Sequence, residues 1–285
     1  TSTATELNLL DGKDATHLAV PGKLEGANFT DSLLIGHATT GTLDAAQDNT
    51  GVGIAALDAI TSGDNNTAVG SDAGTSLTTA GNNTLIGFGA GDGITGAPDN
   101  TAIGSGALSG TMADTNSGYN VAVGANSLNV LNGGAFNVAI GRDSGRAVSS
   151  GDYNILIGYD GGDNITTGSG NVIIGTIDAD SATGDRQLKI AGNDGSTTTT
   201  WISGDNSGNL TFAANATVTG DLTVSGDDIT MGTNTAGNLL IADGTNFNSI
   251  AVGSLSEIST VANDDVFLAV DTSGGGLKKI ARSTV

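Results

Sequence analysis

The side chains that could do chemistry are few in this sequence. The two histidines, His17 and His37, both lie near the N-terminus, and there is no cysteine. The lack of cysteine excludes disulfide bonds and thiolate metal sites. The order of residues assembles no Ser/His/Asp or Cys/His arrangement and no cluster of carboxylates with a basic partner. We therefore predict that the chain is not an enzyme, and we interpret His37 as a solvated turn residue.

Two glycine-rich motifs are similar to ligand-binding loops but lack the residues that binding needs. Residues 87–91, Gly-Phe-Gly-Ala-Gly, resemble a phosphate loop without its Lys-Ser/Thr. Residues 160–163, Asp-Gly-Gly-Asp, resemble a calcium-binding nonapeptide turn without the nine-residue period. Both motifs are therefore interpreted as turns of a repeat structure, and we predict that the chain needs no cofactor.

Acidic and aromatic side chains near the repeats are candidates for two kinds of surface site, a cation site and a sugar site. Four acids that stand just before a repeated asparagine could bind a divalent cation at the surface, or they could be solvated loop acids: Asp48, Asp64, Asp99 and Asp152. Five aromatic residues fall at corners, where they could stack on sugars or fill the corner: Phe88, Tyr119, Phe136, Tyr153 and Tyr159. Arg142 and Arg146, on either side of Asp143, are interpreted as a surface pair.

The element that must position these residues is a repeat. The phrase Asn-x-x-(Val/Ile)-Gly recurs in eight copies between residues 49 and 175, and a ninth copy, residues 32–36, begins with Ser32; the copies are spaced 17 residues apart with one gap of 20. A fixed period of this kind indicates units that stack on one another. The residue before each glycine is β-branched, which favours an extended backbone. We therefore predict an all-β fold, a parallel β-solenoid or β-roll of nine turns over residues 32–184.

Stacked turns bring the repeated residues above one another, about 4.8 Å apart. The asparagines are expected to hydrogen-bond along the stack, and the glycines to allow positive φ or close backbone approach. A polar ligand groove is the alternative for the asparagines, although a binding site rarely recurs unchanged in every turn. The predicted ladder consists of Asn49, Asn66, Asn83, Asn100, Asn120, Asn137, Asn154 and Asn171 with Gly53, Gly70, Gly87, Gly104, Gly124, Gly141, Gly158 and Gly175.

Both faces of the repeated strand are expected to be buried or half-buried. Side chains alternate between faces, so Thr67 and Val69 share one face and Ala68 lies on the other. One face must close the core of the coil, and the other, which is mostly small or aliphatic, needs a second cover. A sister chain on a symmetry axis is the simplest cover, so we predict a homotrimer. The three extra residues of the 20-residue unit are placed around residues 112–116, as a loop that bulges from the stack.

Composition and charge narrow the choice of partners. The 285 residues include 46 glycines and only 4% aromatic residues, which suits a thin solenoid core better than one large central core. The net charge of −21 argues against nucleic acid and anionic membranes as partners. The sequence has no run of about 18 apolar residues, so no membrane-spanning helix is predicted. Because the chain starts at Thr1 without a signal peptide, we expect a piece of a longer protein.

Four regions are predicted along the chain. Residues 1–31 form an N-terminal connector with a capped helical turn near residues 3–12, and residues 32–184 form the solenoid. Residues 185–253, with short alternating strands and Gly-Asp turns, are predicted to form an intertwined β-rich shaft. Residues 254–285 are predicted to form a hairpin that joins another module.

The repeats resemble those of the heads of trimeric autotransporter adhesins, for example in residues 66–74, Asn-Thr-Ala-Val-Gly-Ser-Asp-Ala-Gly. The chain is more closely similar to fibre-like structural proteins of marine cyanobacterial viruses. That similarity includes residues 5–12, 32–37, 220–226 and 265–268 together with the 17-residue repeats. The resemblance implies an extracellular virion fibre or appendage that contacts other virion proteins and a host surface glycan or protein.

Other functions remain open at this point. A bacterial cell-surface adhesin or extracellular filament could have the same β-roll. An ice-binding solenoid would need flat threonine arrays, and Thr50, Thr67, Thr84 and Thr101 begin one that stops at Val121. A polysaccharide lyase or hydrolase would need carboxylates beside a basic residue in a groove, and the order of residues shows no such cluster.

Overall fold

The computed structural model describes residues 22–26, 29–35, 44–219, 238–242, 247–251, 266–271 and 276–281, with side chains over 33–35 and 44–219. In these residues the protein is all-β, with no helix, and so with none that could cross a membrane. The chain forms two compact units, Thr1–Ala216 and Thr217–Val285. The expected helical turn at residues 3–12, both histidines and residues 220–226 lie outside the described residues.

Most strands of the first unit are three residues long. The strands are β1 (Gly22–Gly26), β2 (Phe29–Ile35), β3 (Ala46–Gln47), β4 (Thr50–Val52), β5 (Thr67–Val69), β6 (Thr84–Ile86), β7 (Thr101–Ile103), β8 (Val121–Val123), β9 (Val138–Ile140), β10 (Ile155–Ile157), β11 (Val172–Ile174), β12 (Leu188–Asn193), β13 (Thr198–Gly204), β14 (Leu210–Phe212), β15 (Asn238–Ala242), β16 (Phe247–Ala251), β17 (Val266–Asp271) and β18 (Gly276–Ala281).

The strands from β4 to β11 stack in parallel, one for each coil, in the order of the sequence. Their register follows the repeat, so Ala68 of β5 lies opposite Leu85 of β6. β2 lies before β4, and β12 extends the parallel stack after β11. The predicted parallel β-solenoid of about nine turns is therefore confirmed.

The stack ends in an antiparallel sheet. β12 pairs with β13, and β13 pairs with β14. In the second unit β15 pairs antiparallel with β16, and β17 pairs antiparallel with β18. The parallel stack therefore extends one strand beyond the repeat, to β12, before the strands become antiparallel.

The core of the solenoid is a set of inward-facing columns. The middle residue of each short strand points into the coil and is almost completely buried, as at Ala68, Leu85 and Leu156. A small residue three positions after the repeat glycine and an apolar residue seven positions after it complete the core, as at Ala73 and Leu77. The face of the strand that closes the core is thus the Gly/Ala/Leu/Ile face.

Large and small core residues compensate one another between coils. The side chain of Leu85 occupies the space beside Gly74 and Gly91, where a Cβ atom would lie 2.7 and 2.6 Å from the Leu85 methyl carbons. At the same corner of other coils, the leucines Leu57 and Leu108 point inward with φ of 57° and 53° and no exposure. Sequence reasoning missed these leucines because a positive φ is uncommon for a bulky residue.

The 20-residue coil differs slightly from its prediction. Met112, placed in the bulging loop, is fully buried and forms a parallel bridge with Ile94. It therefore fills in this coil the apolar core position that Leu77 fills in its own coil. Residues 113–116 form the exposed loop, and Met112 fills the core in place of the exposed Thr111.

The repeat glycines allow the coils to approach closely. At Gly87, where φ is 136°, a Cβ atom would lie 2.5 Å from the carbonyl oxygen of Gly104. Gly104 has the same relation to Gly124 in the next coil. A side chain at this position would strain the backbone and separate neighbouring coils, so the repeat needs glycine there.

Candidate functional site

The asparagine ladder runs inside the stack. The side-chain oxygen of Asn66 accepts hydrogen bonds from the backbone nitrogen of Asn83 at 3.0 Å and from its Nδ2 atom at 3.1 Å. The same pair of bonds links Asn83 to Asn100 at 3.0 and 3.2 Å. The pattern continues to Gln187, whose backbone nitrogen and Nε2 atom lie 2.8 and 3.1 Å from the Asn171 oxygen.

The ladder asparagines are buried and also bind turn carbonyls. The Nδ2 atom of Asn137 donates to the carbonyl of Gly151 at 2.8 Å, and that of Asn154 donates to Gly168 at 3.0 Å. All eight asparagines are at most 1% exposed. A ligand has no access to side chains this deeply buried, so the column holds the turns together and is not a binding groove. Gln187 had not been predicted as its last member.

The strand residues on either side of each buried middle residue point outward and form two columns, which we call the outer face. The Val/Ile column is 37% exposed at Val52 and 41% exposed at Ile140. The outer face consists of Thr50, Thr67, Thr84, Thr101, Val121, Val138, Ile155 and Val172 in one column and Val52, Val69, Ile86, Ile103, Val123, Ile140, Ile157 and Ile174 in the other. It leaves a long strip of β-branched side chains without cover from this chain.

A third column stands at the corner beside the outer face and holds the residue that precedes each ladder residue. We call it the corner column, and its members are Asp48, Asn65, Asn82, Asp99, Tyr119, Phe136, Tyr153, Gly170 and Arg186. Every member has positive φ, between 53° and 68°. Backbone hydrogen bonds fix its alignment: the amide of Tyr153 donates to Ala135 at 3.0 Å, and that of Arg186 donates to Ser169 at 2.9 Å.

Three of the five predicted corner aromatics form an exposed stack, which we call the aromatic ladder. The ring centroids of Tyr119 and Phe136 are 5.0 Å apart, those of Phe136 and Tyr153 are 4.9 Å apart, and both pairs are within 2° of parallel. The structure does not bring the other two aromatics into this ladder. Phe88 and Tyr159 directly follow a repeat glycine, and the guanidinium of Arg142 lies 5.8 Å from the Tyr159 ring centroid.

The four acids considered for a cation edge fall into two columns. Asp64 and Asp152 each accept a backbone hydrogen bond from the preceding coil, from Gln47 and Ala135, both at 2.8 Å. Asp48 and Asp99 belong to the corner column instead. Across the described part of the chain, no group of three or more metal-ligating side chains is found. Two of these acids therefore connect coils, and the four do not converge.

A small charged cluster lies near the C-terminal end of the solenoid. Burial raises the pKa of the Asp178 carboxyl, and the hydrogen bond to Asp163 raises it further. Arg146 forms an ion pair with Asp163 at 3.2 Å, and Lys189 forms one with Asp180 at 2.6 Å. The cluster connects coils through charge pairs. Arg142, for which a surface pair had been predicted, contacts its neighbour Asp143 at 3.0 Å.

Comparison with known proteins does not place the chain in a family. No family model, curated protein or solved structure matches it. The features that bear on function are therefore the outer face, the corner column and the resemblance seen in the sequence.

Proposed function

We propose that the chain is a non-enzymatic structural segment of a bacteriophage virion fibre, a rigid spacer that also presents a surface for attachment to the host. The observation that carries the proposal is the outer face, which runs along all the short strands of the stack and stays partly exposed. Contiguous exposed apolar surface of this length is typical of an interaction site. The resemblance to viral fibre proteins supplies the biological setting, an extracellular appendage.

Three copies of the chain would cover the outer face. A threefold axis parallel to the stack sets each coil beside its two counterparts, so that Val138 and Ile140 meet the same residues of sister chains. Such closed symmetry hides the strip in every copy and leaves no copy with an open interface. In a closed trimer all three chains also run in the same direction along the axis, so the two ends of the fibre differ, as a fibre requires.

Exposed apolar side chains in the region after the solenoid also support assembly with other chains. Trp201, Leu210 and Phe212 of the terminal antiparallel sheet are 56%, 59% and 50% exposed. Side chains of this size usually lie in a core or an interface. The proposal therefore includes an intertwined shaft over residues 185–253 and a hairpin junction over residues 254–285 that contacts another virion protein.

Light scattering on the purified full chain tests the proposal. The expected result is a particle of three times the chain mass that does not dissociate on dilution into the nanomolar range. A folded monomer would overturn the proposed fibre. A trimer would also suit a bacterial adhesin or extracellular filament. Immunogold labelling of purified virions shows whether the protein is part of a virion or of a bacterium.

Ice binding is a second candidate, and one observation favours it. Thr50, Thr67, Thr84 and Thr101 lie in one outward column and repeat at the strand spacing of about 4.8 Å. A flat, regular array of hydroxyl and methyl groups is suited to ordering water. Measurement of thermal hysteresis decides the matter, since an ice-binding protein depresses the freezing point below the melting point and a spacer does not.

A further inference from the structure

The aromatic ladder ends two coils before the corner column does. After Tyr153 the next position is Gly170, and the one after that is Arg186. Since successive coils are about 4.8 Å apart, the loss of one side chain leaves a gap about one ring thick below Tyr153. The Tyr153 side is therefore the end of the ladder at which a ring face has no side chain opposite it in the next coil.

The contacts that a Cβ atom would make at Gly170 show what surrounds the gap. A Cβ atom at Gly170 would have a single neighbour within 4 Å, the Cγ atom of Arg186 at 3.5 Å. The stem of Arg186 therefore borders the gap from below, and the Tyr153 ring borders it from above. Tyr153 is 61% exposed, more than Tyr119 or Phe136, which agrees with a ring face open to solvent.

We propose that this gap binds one neutral pyranose residue of a glycan, stacked on the free face of Tyr153 and lying over Gly170. The proposal names the ligand class of the attachment surface and rests on the proposed fibre function only for its biological purpose. Arg186 at the rim donates hydrogen bonds to sugar hydroxyls.

Asp152 and Asp185, which directly precede Tyr153 and Arg186 in the sequence, offer hydrogen-bond acceptors to a sugar. The carboxylates of Asp152 and Asp185 each use one oxygen to accept a backbone hydrogen bond at 2.8 Å. A carboxylate has acceptor capacity on both oxygens, so each can still accept a hydrogen bond from a hydroxyl. A pyranose offers an apolar C–H face for the ring and hydroxyls for one guanidinium and two carboxylates. The net charge of −21 favours a neutral over an acidic glycan.

The backbone gives an independent reason to look for a ligand here. The corner column requires positive φ, which Asn, Asp and Gly adopt readily and aromatic residues rarely adopt. The four preceding coils carry Asp or Asn at this position, whereas Tyr119, Phe136 and Tyr153 keep φ near 60°. Strained residues that cluster on a surface often mark a functional site.

A printed array of neutral and acidic glycans, probed with the full chain, is the first test. The strongest neutral glycan is then titrated by calorimetry against the wild type and three variants. Tyr153→Asn removes the platform and Gly170→Tyr fills the gap with a fourth ring, so each is expected to weaken binding about tenfold or more. Tyr119→Asn makes the same chemical change at the other end of the ladder and is the matched control, expected to bind like the wild type.

Each outcome decides for or against the site. Binding of no neutral glycan, preference for acidic glycans, or equal losses in Tyr119→Asn and Tyr153→Asn overturns the proposal. The thermal transition of Gly170→Tyr is measured in the same samples, so that a loss of binding caused by misfolding can be told from a loss caused by the filled gap. Light scattering separates this proposal from the previous one. A trimer without glycan binding refutes only the sugar site, and a monomer that binds the glycan through Tyr153 refutes only the fibre.

Discussion

The coils on either side of the 20-residue unit differ in what they present to solvent. In the N-terminal coils, residues 48–104, the corner and outer columns carry Asp or Asn, then Thr, then Val or Ile. In the C-terminal coils, residues 119–175, the same columns carry an aromatic residue or Gly, then Val or Ile, then Val or Ile. Inside, both groups share the asparagine ladder and the columns of small and aliphatic residues.

The interior of the solenoid is therefore constrained coil by coil, and the exterior is not. A stacked coil must match its neighbours at every inward position, because a gap or overlap there separates the backbones. An outward side chain has to match only what covers it. In the proposed trimer, the change from Thr to Val or Ile in one outer column would make the contacts between sister chains more apolar in the C-terminal coils.

The largest contrast is expected for a carboxylate placed on the outer face. Val138→Asp should convert the proposed trimer to monomer, because desolvation of each buried charge costs several kcal/mol and three copies meet near the axis. Thr84→Asp should weaken assembly less, since the Thr column already accommodates polar groups. Light scattering over a dilution series measures both, with Val138→Thr as the mild control. Equal dissociation by the two aspartates would contradict the proposed difference.

Truncation of the core should affect both groups of coils equally. Leu85 fills the space beside Gly74 and Gly91, and Leu156 fills the space beside Gly145 and Gly162. Leu85→Ala and Leu156→Ala should each lower the free energy of unfolding by about 2–5 kcal/mol, since each leaves a cavity that glycine neighbours cannot fill. Urea titrations followed by circular dichroism provide the values. A difference of more than about 2 kcal/mol between them would show that the two interiors are not equivalent.

Loss of one ladder asparagine should destabilise the stack about as much as loss of a core leucine. Asn83→Ala and Asn137→Ala each leave buried donors and acceptors of the neighbouring coils without partners, at about 1–3 kcal/mol for each group left unsatisfied. The exposed Asn132→Ala is the control and should change stability by less than about 0.5 kcal/mol. Thermal denaturation of the four proteins provides the comparison, and a ladder variant as stable as Asn132→Ala would show that the ladder is dispensable.

The smallest effects are expected in the corner column. Tyr119→Asn relieves backbone strain but loses one stacked pair, so its stability should stay within about 1 kcal/mol of the wild type. Asn82→Tyr in the N-terminal coils introduces the same strain without a stacking partner and should cost about 1 kcal/mol. Differential scanning calorimetry can rank the two. Stabilisation by Asn82→Tyr would mean that the corner tolerates aromatic residues without strain.

Much of the fold could be predicted because the repeat carries it. The period of 17 residues aligned the asparagines and glycines correctly, and the β-branched residues before the glycines indicated the short strands. The aromatic ladder also had a signal, since Tyr119, Phe136 and Tyr153 each precede a ladder asparagine by one residue. They were placed only at corners, because whether corner side chains stack depends on their rotamers and on the turn.

Other features did not follow from the pattern. Leu57 and Leu108 occupy core positions that glycine holds in other coils, and they do so in a backbone conformation that sequence rules discourage for leucine. Met112 lies eight residues after its repeat glycine, whereas the apolar core residue of other coils lies seven residues after it. The repeat alone does not show this shift, because extra residues can be inserted on either side of the core position. Neither detail can be obtained without the path of the turn, because local propensity is weaker than packing here.

Stacked parallel coils, and the residues that repeat in each coil, can be predicted from the sequence alone, because a constant period with β-branched residues before glycine is typical of stacked strands. Which strand face closes the core and which lies outside is seen only in the folded chain. That choice depends on the direction in which each coil turns, and the turn is set by residues with positive φ whose conformation depends on contacts with the coils above and below.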